Sequence, residues 1–272
     1  MKVLFFCPMW GMAHLPTTEM LLKIKAAGYD GIEFGFHCGL EKERETFVHM
    51  TKDLGLLTIA QQCFAAGDTF ETYGASFTEN LRWLASFKPV LINSHTGKDY
   101  YSSAQNGWLI EQAEGISRET NIPILHETHR GRFPFWPKQT LLYLKRYPET
   151  RLTADFSHYC AVSESLLEDQ EETINQIISS CYHIHARVGH PQGPQVIDPR
   201  LPEWRQALDA HLAWWDRIVS CRQLDTEQLT ITCEFGPEPY MLTSPVSGAP
   251  LASQWQLNLF MMELLRKRYH LN

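Results

Sequence analysis

Tyr182-His183-Ile184-His185-Ala186-Arg187-Val188 is the stretch that decides the fold. In an extended chain alternate side chains take opposite faces. Tyr182, Ile184, Ala186 and Val188 therefore form one row, and His183, His185 and Arg187 the other. A sheet with a wet face would turn the polar row to water, but the surrounding pattern offers no such face. Short β-rich runs occupy residues 3–7, 31–36, 57–63, 90–95, 123–128, 152–156, 182–188 and 229–235. Helical runs follow each one, at 18–27, 41–54, 70–87, 102–120, 138–146, 163–180, 203–221 and 253–269. This alternation implies a parallel sheet with right-handed crossovers, its outer face covered by helices. The polar row must then point inward. Eight such units in 272 residues suit a closed (β/α)8 TIM barrel, read as one domain over residues 1–272. A doubly wound open sheet is the runner-up, but the chain lacks its Gly-rich phosphate loop. Gly31-x-x-x-Gly35 has neither the spacing nor the following turn.

Chain punctuation agrees. Gly28 and Gly55 follow the first two helical runs, and Pro202 stands just before the seventh, where its missing N–H does no harm. Helix-to-strand connections are short, whereas strand-to-helix connections at 96–101, 129–137, 189–202 and 236–252 are long. Barrel enzymes place their chemistry on the face built by the long kind.

Composition narrows the function. Hydrophobic residues make up 44% and charged residues 20%, which excludes disorder. No apolar run approaches the roughly 20 residues that span a bilayer, so no membrane role is expected. The formal charge of −7 opposes nucleic-acid binding. Residues 1–11 read as a first strand rather than a signal peptide, because Pro8 interrupts a short apolar stretch. The seven cysteines (Cys7, Cys38, Cys63, Cys160, Cys181, Cys221 and Cys233) are scattered, odd in number and form no CxxC. They fit reduced thiols in a cytoplasmic protein.

The same parity applies to neighbouring strands. Leu125, Glu127 and His129 share a row; so do Thr153 and Asp155; so do Thr230, Thr232 and Glu234. Glu127, Asp155, His185 and Glu234 thus approach one axis from the carboxyl ends of four successive strands. Each alone is more often an ordinary polar residue satisfied by its neighbours. Together, at matching depth and parity, they place three carboxylates close enough to push one toward protonation. A divalent cation resolves that conflict, and three carboxylates with one imidazole make a hard site for Mg, Mn, Co or Zn.

The order of these motifs resembles the xylose-isomerase-like (β/α)8 barrels. That group includes sugar and sugar-phosphate isomerases, ketose 3-epimerases, some dehydratases and metal-dependent apurinic endonucleases. The likeness spans nearly the whole chain and rests on Gly28-Tyr-Asp-Gly-Ile-Glu33, His126-Glu127-Thr-His129, Asp155-Phe-Ser-His158, His183-Ile-His185 and the Glu234 of Ile-Thr-Cys-Glu-Phe-Gly. The resemblance implies one divalent metal on Glu127, Asp155, His185 and Glu234, with the second histidine of the pair as ligand. It implies that Glu127 and Glu234 exchange the substrate proton and that His158 contacts substrate. Two departures stand out. Ketose epimerases carry an arginine six residues after the metal-binding histidine, where this chain has Pro191. The multi-metal endonucleases need a further Asp-x-His, where this chain has Asp198-Pro199-Arg200.

Other residues are read with a bland alternative beside each. Arg187 suits a substrate carboxylate or phosphate, or equally a structural ion pair. Arg130 and Arg132 would add to an anion site only if they converge with Arg187. His95, inward with Asn93, is read as a substrate hydroxyl contact. Structural roles are favoured for Glu33 and His37. Met9, Trp10, Met12, Phe133, Phe135 and Trp136 either stack on a sugar or pack their loops. The run His190-Pro-Gln-Gly-Pro-Gln-Val196 is read as a wall or lid. The expected activity is metal-assisted isomerisation or epimerisation of a carbohydrate, with a homo-oligomer admissible. A dehydratase is the nearest alternative; a phosphodiesterase at abasic DNA and a non-catalytic binding barrel are more remote.

Overall fold

The computed structural model describes residues 1–12, 14–36 and 41–269. His37 and Cys38 lie outside the described residues. Eight strands run β1 Lys2–Pro8, β2 Gly31–Phe34, β3 Leu57–Gln62, β4 Leu91–Ser94, β5 Ile124–Glu127, β6 Leu152–Ala154, β7 Cys181–His185 and β8 Gln228–Thr232. Each pairs in parallel with the next, and β8 pairs with β1, which closes the barrel. The helices are α1 Thr17–Ala26, α2 Glu41–Asp53, α3 Phe70–Ala85, α4 Ser103–Thr120, α5 Pro137–Arg146, α6 Phe156–Ser163, α7 Glu171–Ile178, α8 Arg205–Arg222 and α9 Gln254–Tyr269. The fold is a single (β/α)8 TIM barrel. Among the described residues no helix is long and apolar enough to cross a membrane.

Strand parity divides the core in two. Leu4, Phe6, Ile59, Leu91 and Leu125 plug the barrel interior. Their chain neighbours, such as Phe5, Cys7 and Ile92, pack outward with the helices, as do Ile184 and Ile231. Burying a side chain such as Phe6 contributes roughly 1.5–3 kcal/mol relative to leaving it exposed. Above this plug the inward row turns polar, and the site begins there. Helix starts are set locally. In α4 the Ser102 side chain accepts from the Gln105 N–H, and the Gln105 side chain reaches back to the Ser102 N–H.

Two readings of the sequence need correction. The run at 163–180 is not one helix. The Asp155 carboxylate accepts from the Ser157 N–H at 3.1 Å and starts α6 immediately after β6. Left-handed Glu164 (φ 50°) and Leu167 (φ 63°) then break the chain before α7. Tyr182 does not share the outer row of Ile184. The β6–β7 register shifts between Leu152 and Thr153, and Tyr182 packs against the interior plug instead. A bulge changes parity on one side of itself only, so His183, His185 and Arg187 keep theirs.

Candidate metal centre

Four short strands bring four side chains to one point. Glu127 ends β5, His185 ends β7, Asp155 caps α6 just past β6, and Glu234 lies two residues past β8. Their candidate ligand atoms all lie within 4.8 Å of one another, and all four residues are buried. His185 Nδ1 is 2.8 Å from Glu234 Oε2 and 3.6 Å from Glu127 Oε2. Among the described residues it has no partner of hydrogen-bond geometry. Its Nε2 lies 3.0 Å from both oxygens of Glu33. The carboxylate accepts from Nε2–H, so Nδ1 is the nitrogen that faces the tetrad, protonated when no cation is bound and free to ligate once a cation takes the place of that proton. That arrangement orients a ligating imidazole. One ring nitrogen and three carboxylates converging on one point fit a hard divalent cation.

The surrounding groups hold this cluster rigidly. Asn93 Nδ2 donates to Glu127 Oε2 at 2.7 Å and to Glu33 Oε1 at 3.1 Å. Thr232 Oγ1 donates to Glu33 Oε2 at 2.5 Å. His183 is turned aside, with Nδ1 against Thr230 and Nε2 near Glu33, so His185, not His183, faces the tetrad. His95 Nε2 meets Glu127 Oε2 at 3.0 Å. Arg187 pairs with Asp155 Oδ2, donates from Nε to Ser157 Oγ at 3.2 Å, and lies 3.9 Å from Glu234. The ion-pair reading of Arg187 is thus present in the structure. His158 Nε2 lies 2.8 Å from Arg187 Nη2.

Charge crowding shows in the titration behaviour. Burial pushes Asp155 up to about 6; Glu127 and Glu234 add to this, while Arg187 opposes it. Burial disfavours a charged His185, but Glu234, Glu33 and Glu127 outweigh it and hold the imidazole well above its usual value. Burial would raise Glu33 and Glu127 as well. His185 and His183 overcome this at Glu33, and His95 and His185 at Glu127, so both stay below the carboxylate range. Burial, with His129 and Arg187 nearby, holds His158 well below an ordinary histidine.

A lid of two rings covers the mouth. Trp10, from the β1–α1 loop, packs on Gly236, where an added Cβ would meet the indole at 2.2 Å. Tyr240, from the β8–α9 loop, meets Trp10 edge-on at 5.1 Å between centroids. Arg187 lies under both rings, 4.8 Å from Tyr240 and 6.0 Å from Trp10. Arg130 stacks on Tyr240 at 5.3 Å, the ring that also lies 4.8 Å from Arg187. Arg132 lies toward Tyr73 and Lys98 instead. Phe133 is buried against Tyr143 and packs its loop. The 190–196 loop is pinned by paired His190–Gly193 backbone bonds and by Gln195, which bonds both N–H and C=O of Gly236. Cavities of about 680 and 790 Å³ lie elsewhere, the first beside Met12, Met241 and Trp255, the second between α8 and α9.

Parity found the tetrad and Asn93. It did not find the Glu33–His185 pair, which joins β2 and β7 across the barrel. Nor did it find Tyr240, because the 236–252 loop has no periodicity to read.

No family model matches the chain, and no curated protein matches it. Solved structures do. A D-allulose 3-epimerase from Methylomonas sp., in complex with D-allulose, matches with a TM-score of 0.67 at 14% identity over 98% of each chain. A probable 3-DHS dehydratase from Bacillus anthracis, involved in petrobactin synthesis, matches with a TM-score of 0.63 at 17% identity over 98% of this chain and 100% of its own. A xylose isomerase-like TIM barrel protein from Mycobacterium smegmatis, in complex with magnesium, matches with a TM-score of 0.62 at 12% identity over 97% of each. At these identities the likeness concerns the fold alone: the chain is similar in fold to xylose isomerase-like TIM barrels.

Proposed function

We propose that this chain is a divalent-metal-dependent isomerase or epimerase of a sugar, a sugar phosphate or a polyol-derived keto acid. The observation that carries the reading is the buried tetrad, whose four residues converge within 4.8 Å with His185 Nδ1 2.8 Å from Glu234 Oε2 and 3.6 Å from Glu127 Oε2. Glu127, Asp155, His185 and Glu234 would hold one Mn, Mg, Co or Zn ion. Such an ion, when bound, lowers the cost of the negative charge that grows on a carbonyl oxygen as the neighbouring C–H loses its proton. Glu127 and Glu234 are the groups that accept and return that proton. Asn93 and His95 both bond Glu127 at Oε2, which fixes how its other oxygen is presented. His158, Arg187 and His95 border the tetrad and are assigned to substrate oxygens. Trp10 and Tyr240 lie over Arg187 at the barrel mouth and would limit the access of water to these groups.

D-allulose in one structural neighbour and magnesium in another support a carbohydrate substrate and a hard metal. A dehydratase sharing the enolate is the second reading, favoured by the likeness to the probable dehydratase. The six described cysteines are all free, which supports a cytoplasmic location. We read residues 1–272 as one domain that binds neither nucleic acid nor membrane and allows assembly with its own copies.

The test pairs metal analysis with solvent-deuterium uptake. One ion per chain and deuterium entering a ketose, sugar phosphate or keto acid are expected, with uptake lost in Glu127→Gln. No metal bound even on titration would remove the basis of the reading.

A further inference from the structure

Two half-buried cations at the barrel rim have no counter-charge. Lys98 stands on the loop after β4 and Arg132 on the loop after β5. The loops are tied together, since the Phe133 N–H donates to the Thr96 carbonyl at 3.2 Å. Each cation is held by its backbone. The Lys98 N–H donates to Asn106 Oδ1 at 3.3 Å, and the Lys98 carbonyl accepts from Asn106 Nδ2 at 2.9 Å. The Arg132 N–H donates to the His129 carbonyl at 3.1 Å. Both side chains approach Tyr73 on α3: Lys98 Nζ lies 5.6 Å from the ring centroid, and Arg132 bears on the phenol. Burial and then Arg132 disfavour the charged Lys98, and Asp99 opposes them. Among the described residues neither cation forms an ion pair or a side-chain hydrogen bond, and Arg132 Nε is buried without a partner. Other arginines here are matched: Arg187 by Asp155, Arg200 by Asp198 and Arg268 by Asp216. Cys63, just past β3, lies within electrostatic reach of Arg132 and also of Glu127 and Glu234, so the pair borders the tetrad.

We propose that Lys98 and Arg132 form an oxyanion site at the rim, and that its ligand is a phosphate monoester carried by the substrate. Holding two like charges together while taking them partly out of water costs free energy, and an anion between them offsets that cost. The planar guanidinium offers a fork for two oxygens, and the ammonium adds a point charge for a third. Two positive charges match a dianion better than a single carboxylate. Barrels frequently seat phosphate on the loops after strands 7 and 8. In this chain the loop after β8 supplies Tyr240 to the lid, and the unmatched cations stand on the loops after β4 and β5. That the ester belongs to the substrate rests on the proton-transfer reading above: the tetrad would work on one end of the molecule while the rim holds the other.

The test is calorimetric titration of inorganic phosphate into the full chain after metal has been removed, so that no bound cation recruits the anion. Saturable binding is expected, weakened about 10–100-fold in Lys98→Gln and in Arg132→Gln. Arg205→Gln, which removes an exposed charge on α8, should leave it unchanged. Absence of saturable binding in the wild type, or binding that either rim substitution leaves intact, would overturn the site. Should Arg132→Gln fail to fold, Lys98→Gln decides alone. Glycerol 3-phosphate separates a substrate ester from free phosphate. Competition with inorganic phosphate, with glycerol inert, supports the monoester; binding of inorganic phosphate alone overturns the substrate assignment. Glycerate that binds as tightly as glycerol 3-phosphate would overturn the preference for a dianion. Failure of the parent reading shows differently, as absent metal binding and absent deuterium uptake, with phosphate binding to the metal-free chain retained.

Discussion

Glu33 and His185 show how much at this site depends on single contacts. Both nitrogens of His185 face carboxylates, and Glu33 decides which one carries the proton. Glu33→Gln keeps the shape but loses the charge that orients the ring. Losing such a partner typically lowers metal affinity about 10–100-fold, and calorimetric titration of Mn would read it. Protons and metal also compete here. His185 holds its proton well above the usual range, and Asp155 titrates at about 6. A cation displaces these protons, so affinity falls as pH falls. Above about pH 6 one proton leaves, from His185; below it a second leaves, from Asp155, and affinity drops more steeply. Titrations in buffers of different ionisation enthalpy count the protons released. The sequence exposed Glu127, Asp155, His185 and Glu234 because parity along a strand is a local property. The Glu33–His185 bond spans 152 positions, and no local pattern encodes it.

Elements end where parallel pairing stops, and those ends carry the chemistry. Asp155 illustrates this: one carboxylate both starts α6 and faces the tetrad. The sequence reading ran the sixth strand to Phe156 and the next helix from 163, because Phe156–Ser163 has no clean amphipathic stripe. The aspartate cap, not periodicity, starts that helix. The β8–α9 loop is the other case. Gly236 lets the Trp10 indole come close to the backbone, and any side chain there would meet it. Gly236→Ala is expected to cost about 1–3 kcal/mol, as overpacking does, and to lift Trp10 toward solvent. Denaturant unfolding and a red shift in tryptophan emission check the two parts separately.

At the scale of the whole molecule, the barrel is the part most legible in the sequence. Eight alternating units and one polar row suffice to close a sheet around an axis, which is why neighbours at 12–17% identity cover nearly the whole chain. The lid is less legible, since Trp10, Arg130 and Tyr240 come from three loops distant in sequence. A closed barrel also couples its mouth to its stability. The tetrad exists only in the folded chain, so a cation bound there stabilises the fold by mass action. At 100 times its Kd, metal adds about 2.7 kcal/mol. Thermal unfolding with Mn against chelator should show a midpoint several degrees higher with the metal, and no shift in His185→Ala.

Diffraction from crystals soaked in Mn, with data collected for its anomalous signal, addresses the metal centre most directly. One peak is expected, within bonding reach of His185 Nδ1 and of oxygens from Glu127, Asp155 and Glu234. A peak only at the neighbouring His95–Glu127–His129 group, or none at the barrel mouth, would contradict the account.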